Sequence, residues 1–159
     1  MQVHSQASAQ MDSVAALVAA AAVDYARLTE LREESNAASD SDSGTFSASD
    51  AEELAELEAA AGDCKDLDDA ETRIGEDALS AEVRSGWVSG RTEMVAEEFR
   101  IVLCTGGPHV EIRGDIDHNG DPSSARLMYQ DWGTPLTEYF GDNLDRDVLV
   151  QYASRFIMS

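Results

Sequence analysis

The sequence predicts an α+β fold, with an N-terminal acidic helical hairpin followed by a four-stranded antiparallel sheet that a C-terminal helix covers. Two observations predict it. Near residue 79 the spacing of apolar residues changes from steps of three and four, typical of helices, to the alternation typical of strands. The charge changes at the same place, because residues 1–78 carry −15 of the net charge of −21 and residues 79–159 carry −6.

The predicted organisation has three parts. The 159 residues of the chain suffice for one domain with a core and a helical appendage. Residues 1–10 are predicted to be a flexible tail, residues 11–78 an acidic helical region with a mobile loop at 35–48, and residues 79–159 the sheet with its final helix.

The first helix is predicted over residues 11–35. Apolar residues recur there at steps of four and three and form one stripe: Val14, Val18, Ala21, Tyr25 and Leu28. Such a stripe also offers a surface for a homodimer. Serines and aspartates then interrupt the pattern and predict the loop.

Two more helices complete the acidic region. Ser49 and Glu52 have the spacing of a capping box, so a second helix should begin there and end near Gly62. A third, short helix is predicted from Leu67 to Ile74. The three helices predict an antiparallel hairpin whose exposed faces are rich in carboxylates.

Four strands are predicted next. The first alternates Leu79, Ala81, Val83, Ser85 and Trp87 and should have one buried face. The second, Phe99–Cys104, is apolar on both faces and should be covered on both. The third runs from Val110 to Ile116 and the fourth from Leu127 to Trp132.

Turns and a last helix complete the fold. Gly106-Gly107-Pro108 predicts one turn, and Asn119-Gly120 lies in a second, at 118–124. Leu144, Val148, Tyr152 and Phe156 then recur at steps of four. This spacing predicts an amphipathic helix that covers one face of the sheet.

No motif indicates catalysis, a metal or a cofactor. The segment 115–120 begins like a calcium-binding loop, but its twelfth position, where a glutamate is needed, is Arg126. A hairpin turn explains the same residues. The histidines show no ligand spacing, and Cys64 and Cys104 lie too far apart for a CxxC pair. The sequence predicts a protein that is not an enzyme.

Composition restricts location and partners. Two cysteines without a disulfide pattern suit a reducing cytoplasm. The apolar run from Val14 to Val23 is too short to span a bilayer. Phosphate backbones would repel a chain of charge −21, so direct nucleic-acid binding is disfavoured and a basic protein is the natural partner. Adaptation to a high-salt cytoplasm is an alternative explanation, because Lys65 is the only lysine beside ten arginines.

The segment 129–140 has two interpretations at this stage. It holds four of the ten aromatic residues, mixed with hydrogen-bonding side chains. It is either a strand end packed on the core or a recognition surface that includes Trp132 and Tyr139.

Two sequence words carry a resemblance. Leu-Cys-Thr-Gly-Gly-Pro at 103–108 and Tyr-Gln-Asp-Trp-Gly-Thr-Pro at 129–135 resemble a family of small acidic proteins of phages, prophages and plasmids, over about residues 50–159. The resemblance implies a mobile-element context, in which acidic inhibitors of host defence that imitate DNA recur. It implies no catalytic residue.

The leading functional hypothesis is therefore a DNA mimic. Its carboxylates would replace phosphates on the basic surface of a host nuclease or CRISPR effector, as an anti-CRISPR or anti-restriction protein. A helix rises 1.5 Å per residue, so acids on its surface can approach the charge density of DNA. The candidates are Glu52, Glu53, Glu56, Glu58, Asp66, Asp68, Asp69 and Glu71. The alternative is a structural or adaptor protein of the same element.

Overall fold

The computed structural model describes residues 2–41 and 45–157, and it has an α+β fold. Its helices are α1 (Gln2–Ala21), α2 (Tyr25–Asp40), α3 (Ala48–Ala61), α4 (Leu67–Asp77) and α5 (Arg146–Ala153). Its strands are β1 (Ser80–Arg84), β2 (Glu98–Cys104), β3 (His109–Asp115), β4 (Arg126–Gln130) and β5 (Thr137–Glu138). The predicted class is confirmed, with five strands rather than four. With only two residues, β5 is too short to show any periodicity.

The chain forms two compact units. The first, which we call the sheet unit, combines the chain up to Val18 with the chain from Arg73 onward. The second, which we call the helical unit, comprises residues 19–72. The helical unit has 16 acids and 3 bases, for a net charge of −13, and the sheet unit has the remaining −8. The boundary differs from the predicted one because the first part of α1 belongs with the sheet.

The predicted flexible tail is wrong where the structure describes it. Residues 2–10 are helical, and Ala7 is fully buried. Ala7 lies four residues before the buried Met11 and extends the apolar stripe of α1 towards the N-terminus. Alanine carries little hydrophobic weight, and the sequence pattern therefore did not extend the helix that far.

The single helix predicted over 11–35 is two helices. Helix α1 ends at Ala21, and Asp24 caps the start of α2, because its side chain accepts a hydrogen bond from the backbone N–H of Arg27 at 3.0 Å. Four of the five stripe residues are buried in the chain: Val14, Val18, Ala21 and Leu28. The stripe is thus not a free dimer surface, and dimerisation itself stays a prediction.

The predicted mobile loop at 35–48 is also corrected. Helix α2 continues to Asp40, and α3 already begins at Ala48, while residues 42–44 lie outside the described residues. The N-cap of α3 is Ser47 rather than Ser49, because the Ser47 hydroxyl accepts the Asp50 N–H at 3.0 Å. The predicted short helix at 67–74 corresponds to α4.

The sheet is an antiparallel meander in the order β1-β2-β3-β4-β5. Ile101 pairs with Ile112 and Ile112 with Leu127, so these buried residues form one row across three strands. The prediction that β2 is covered on both faces is wrong, because Arg100 on the other face is exposed. This opposite face also carries Arg113 and Arg126, in register with Arg100.

Parts of α1 and α5 pack within the sheet unit. The His4 ring of α1 contacts Tyr129 and Tyr139, with ring centroids 6.1 and 4.9 Å apart. The hydroxyl of Tyr152 on α5 donates to Asp77 Oδ2 at 2.6 Å. Burial and this bond raise the pKa of the Tyr152 hydroxyl far above its usual range. Helix α5 also contacts β4, in agreement with its predicted covering role.

The predicted buried face of the first strand is wrong. Leu79 and Val83 are more than half exposed, and Trp87 lies beyond the end of β1 and is fully exposed. In the sequence this tryptophan is flanked by Ser85-Gly86 and, after Val88, by Ser89-Gly90. These residues are typical of a loop and interrupt the alternation on which the prediction rested.

Candidate protein-binding surfaces

The arginines of the helical unit bind carboxylates of the same unit. Arg27 on α2 donates through Nη2 and Nε to the Glu53 carboxylate on α3, at 2.9 and 3.1 Å. It also binds Glu30 at 2.8 Å. Arg32 donates to Glu58 Oε1 at 3.0 Å. The pairs with Glu53 and Glu58 join α2 to α3. Both guanidinium groups are therefore paired with carboxylates of the same unit.

The sequence-predicted acidic residues therefore have different roles. Glu53 and Glu58 join the two helices. Asp66 Oδ1 accepts the backbone N–H of Asp69 at 2.8 Å, and Asp69 Oδ2 accepts that of Lys65 at 3.0 Å, so both order the start of α4. Five of the eight candidates, these four and Glu71, thus have interactions that sequence reasoning did not identify.

Glu52, Glu56 and Asp68 are exposed, and none of the hydrogen bonds and ion pairs found across 2–41 and 45–157 involves their carboxylates. Glu52 and Glu56 lie one helical turn apart, or about 6 Å along α3. Glu71 is exposed as well, but it has an interaction of its own. We call Glu52, Glu56 and Asp68 the free carboxylates.

Glu53 predicts a pH effect on stability. Its hydrogen bonds with Arg27 lower its carboxyl pKa below the ordinary 4.5. A carboxyl whose pKa is lower in the folded chain stabilises that chain above the unfolded pKa, and the contribution is lost as pH falls through the folded value. Glu53→Gln should thus have a lower thermal midpoint than the native chain near pH 7. On acidification, the midpoint of this variant should fall by less than the midpoint of the native chain does. Melting curves from pH 7 to pH 3 would measure this, with the unpaired Glu52→Gln as control; equal curves for both variants would contradict the role of the pair.

The aromatic segment 129–140 divides into core and surface. Tyr139 is 1% exposed, and its hydroxyl donates to Asn143 Oδ1 at 2.6 Å. Asn143 Nδ2 in turn donates to the carbonyl of Ser8 at 3.0 Å and to Asp12 at 2.7 Å. Tyr139 therefore belongs to the core, and its predicted role as a recognition residue is wrong.

Trp132 is 80% exposed and lies beyond the end of β4, although it was predicted within that strand. Its indole lies against Gly107, where a Cβ atom would overlap the ring. Gly107 has a φ of +82°, which also favours glycine. The two sequence words 103–108 and 129–135 therefore meet in the structure, and Trp132 remains available to a partner.

A buried acid in β3 was missed by the sequence reasoning. Glu111 is 1% exposed, with its carboxylate bonded to His109 Nε2 at 2.7 Å and to Arg113. Nearby, burial raises the pKa of the Cys104 thiol, which keeps it protonated at neutral pH. Glu111 is a matched structural charge, and Cys104 lacks the thiolate character of a nucleophile.

The predicted turn at 118–124 is present, and the aspartates before it close it. Asp117 Oδ1 accepts the backbone N–H groups of Asn119 and Asp121 at 2.8 and 3.1 Å, and these bonds lower its pKa. Ser124 donates to Asp115 Oδ2 at 2.7 Å. Among the described residues, no group of three or more histidine, cysteine or acidic side chains is placed to hold a metal ion.

Two further findings concern the whole described chain. Nothing matches it among protein-family models, curated proteins or solved structures. None of the helices described is both long and apolar enough to cross a membrane.

Proposed function

We propose that this protein is an acidic inhibitor whose helical unit occupies the DNA-binding surface of a basic protein partner. The observation that carries this proposal is the pairing of Arg27 and Arg32 with acids of their own unit. With both guanidinium groups matched internally, this unit of net charge −13 presents its excess carboxylates to a partner.

The charge density of α3 supports the comparison with DNA. Its 14 residues carry five acids, Asp50, Glu52, Glu53, Glu56 and Glu58, and no base. A helix of that length spans about 21 Å, so an acid occurs about every 4 Å. One strand of duplex DNA carries a charge every 3.4 Å or so. The five acids thus approach the density of a single phosphate strand, and Arg27 and Arg32 offset two of these charges, at Glu53 and Glu58.

The proposed partner is a host nuclease or CRISPR effector in the cytoplasm, and the proposed source is a mobile element. Such enzymes hold DNA through lysine and arginine, which the free carboxylates would bind in place of phosphates. The protein itself would bind no nucleic acid, and the proposed mechanism needs no catalytic group, metal or cofactor.

Affinity capture tests this proposal. The native chain and the variant Glu52→Gln/Glu56→Gln/Asp68→Asn would each be immobilised and exposed to host lysate at low and high salt. We expect DNA-binding enzymes on the native chain at low salt only, and a strong reduction on the variant. Capture of the same enzymes by both chains at both salt concentrations would contradict the proposal.

An adaptor function is the second candidate, and the exposed apolar residues near β1 favour it. Residues such as Trp87 and Met94 are exposed although they bring no charge that could imitate DNA. An adaptor would use these residues for contact, and its acidity would serve solubility.

Salt adaptation is the remaining explanation of the acidity, and thermal unfolding tests it. Because a charge of −21 repels itself, added salt should raise the midpoint of thermal unfolding for this chain. We expect a folded protein at physiological ionic strength, with a higher midpoint at greater ionic strength. A chain that folds only near molar salt would make salt adaptation the better explanation.

A further inference from the structure

The exposed large hydrophobic residues are concentrated in and around β1 and in the connection that follows it. Nine such residues occur in the described chain, and six of them lie between residues 79 and 95: Leu79, Val83, Trp87, Val88, Met94 and Val95. Trp87, Val88 and Met94 line one cavity of about 650 Å³ together with Arg84 and Glu98. Scattered exposed apolar residues are ordinary, whereas a contiguous group marks an interaction site.

This group belongs to a strand with a free edge and to the connection directly after it. In the described sheet β1 pairs with β2 on one side and is the outermost strand on the other. The outer edge of such a strand has backbone N–H and C=O groups that can pair with an added strand. The connection that follows β1, residues 85–97, exceeds the two to five residues usual for a hairpin loop. Connections longer than about 12 residues are usually either functional or flexible linkers.

The charges near this edge indicate the kind of partner. Glu82 and Glu98 are matched by Arg100 and Arg84. The connection has three exposed charged residues that no ion pair found among the described residues involves, Arg91, Glu93 and Glu97, for a net charge of −1. A second copy of the chain would bring another −21 and be repelled, whereas basic residues would be attracted.

We propose that the outer edge of β1 and the connection 85–97, together called the β1 edge surface, bind an extended segment of a protein partner. In this segment apolar residues alternate with polar ones, and the apolar residues pack on Trp87 and Met94. Lysine or arginine residues at its ends lie near Glu93 and Glu97. It adds to the sheet as a strand beside β1. This inference rests on the proposed function only in giving the partner a basic character.

A random peptide library displayed on phage tests the β1 edge surface. The library would be selected on the full chain and depleted on the variant Trp87→Ala/Met94→Ala. Both side chains are exposed, so this variant should keep its fold, which its thermal midpoint would verify. Phe140→Ala is the matched control, since Phe140 is an exposed aromatic residue outside the surface.

We expect the selected peptides to alternate apolar residues between lysine or arginine ends. They should protect the amides of residues 80–84 from hydrogen exchange. They should bind the Phe140→Ala chain normally and the double variant about tenfold more weakly or worse. Binding should persist in Glu52→Gln/Glu56→Gln/Asp68→Asn, which separates this surface from the proposed function of the helical unit.

Three results would overturn the inference. The first is a selection that yields no binder, or only peptides without the alternation and the basic ends. The second is binding that leaves the amides of β1 unprotected. The third is self-association of the native chain that Trp87→Ala/Met94→Ala abolishes, which would assign the surface to a second copy.

Discussion

Neutralising the three free carboxylates should weaken partner binding on the order of 100-fold. Each of Glu52, Glu56 and Asp68 is exposed and unpaired within the described structure. A contact worth about 1 kcal/mol for each would sum to about 3 kcal/mol, and every 1.4 kcal/mol or so is tenfold in affinity. Association and dissociation rates for the captured enzyme would be measured by surface plasmon resonance on the native chain and on Glu52→Gln/Glu56→Gln/Asp68→Asn.

The matched control removes three acids from the sheet unit: Glu76→Gln, Asp121→Asn and Asp142→Asn. All three are exposed, so both variants lose the same net charge. If binding depends on position, the control should lose little affinity, whereas an effect of total charge would weaken both variants equally. Thermal midpoints would verify that both remain folded, since Asp68 also lies in the first turn of α4.

Reversing the charge of all four glutamates of α3 would be a simpler test of binding, but the structure shows that it would also affect folding. Reversing Glu52, Glu53, Glu56 and Glu58 together would break the ion pairs of Glu53 with Arg27 and of Glu58 with Arg32. A loss of binding could then come from separation of α2 and α3. Among the eight candidates, the free carboxylates are the ones whose substitution separates recognition from folding.

Tyr139→Ala should destabilise the fold by about 3–5 kcal/mol, as removal of a buried aromatic ring does. The ring is 1% exposed, and its hydroxyl continues through Asn143 to Ser8 and Asp12 of α1. Tyr139→Phe keeps the ring and removes only that bond, so it should cost about 1 kcal/mol. Urea denaturation of each variant would measure these free energies of unfolding.

Trp132→Ala is the surface counterpart from the same segment. Because Trp132 is mostly exposed, we expect its free energy of unfolding to change by about 0.5 kcal/mol or less. The contrast between the two variants tests the division of this segment into core and surface. A Trp132→Ala chain as unstable as Tyr139→Ala would place both residues in the core.

The sequence predicted the fold well where apolar periodicity was strong. Alternation in β2, β3 and β4 and the steps of four in α5 identified the meander and its last helix. Periodicity did not identify β5, which has two residues, or the break at Asp24, where an aspartate caps a new helix within an otherwise helical pattern. The strand depends on pairing with β4 and the break on a side-chain cap, rather than on a repeating apolar pattern.

The candidate surface was predicted less well than the fold. Composition located the acidic half of the chain, but it could not separate the paired Glu53 from the free Glu52 next to it, because pairing depends on which face of α3 meets Arg27. Trp87 was assigned to a buried strand face, although Ser85-Gly86 before it and Ser89-Gly90 after it are typical of a loop. A contact between helices, which no local pattern encodes, decided the first case, whereas the local Ser-Gly pattern already indicated the second.

Competition with DNA tests the central claim most directly. The captured enzyme would be bound to a fluorescent DNA duplex and titrated with the native chain, and the anisotropy of the duplex would be followed at several salt concentrations. We predict complete displacement of the duplex, with an inhibition constant that rises steeply with salt. A chain that binds the enzyme while the duplex stays bound, or that displaces it equally well at every salt concentration, would contradict the claim that its carboxylates take the place of phosphates.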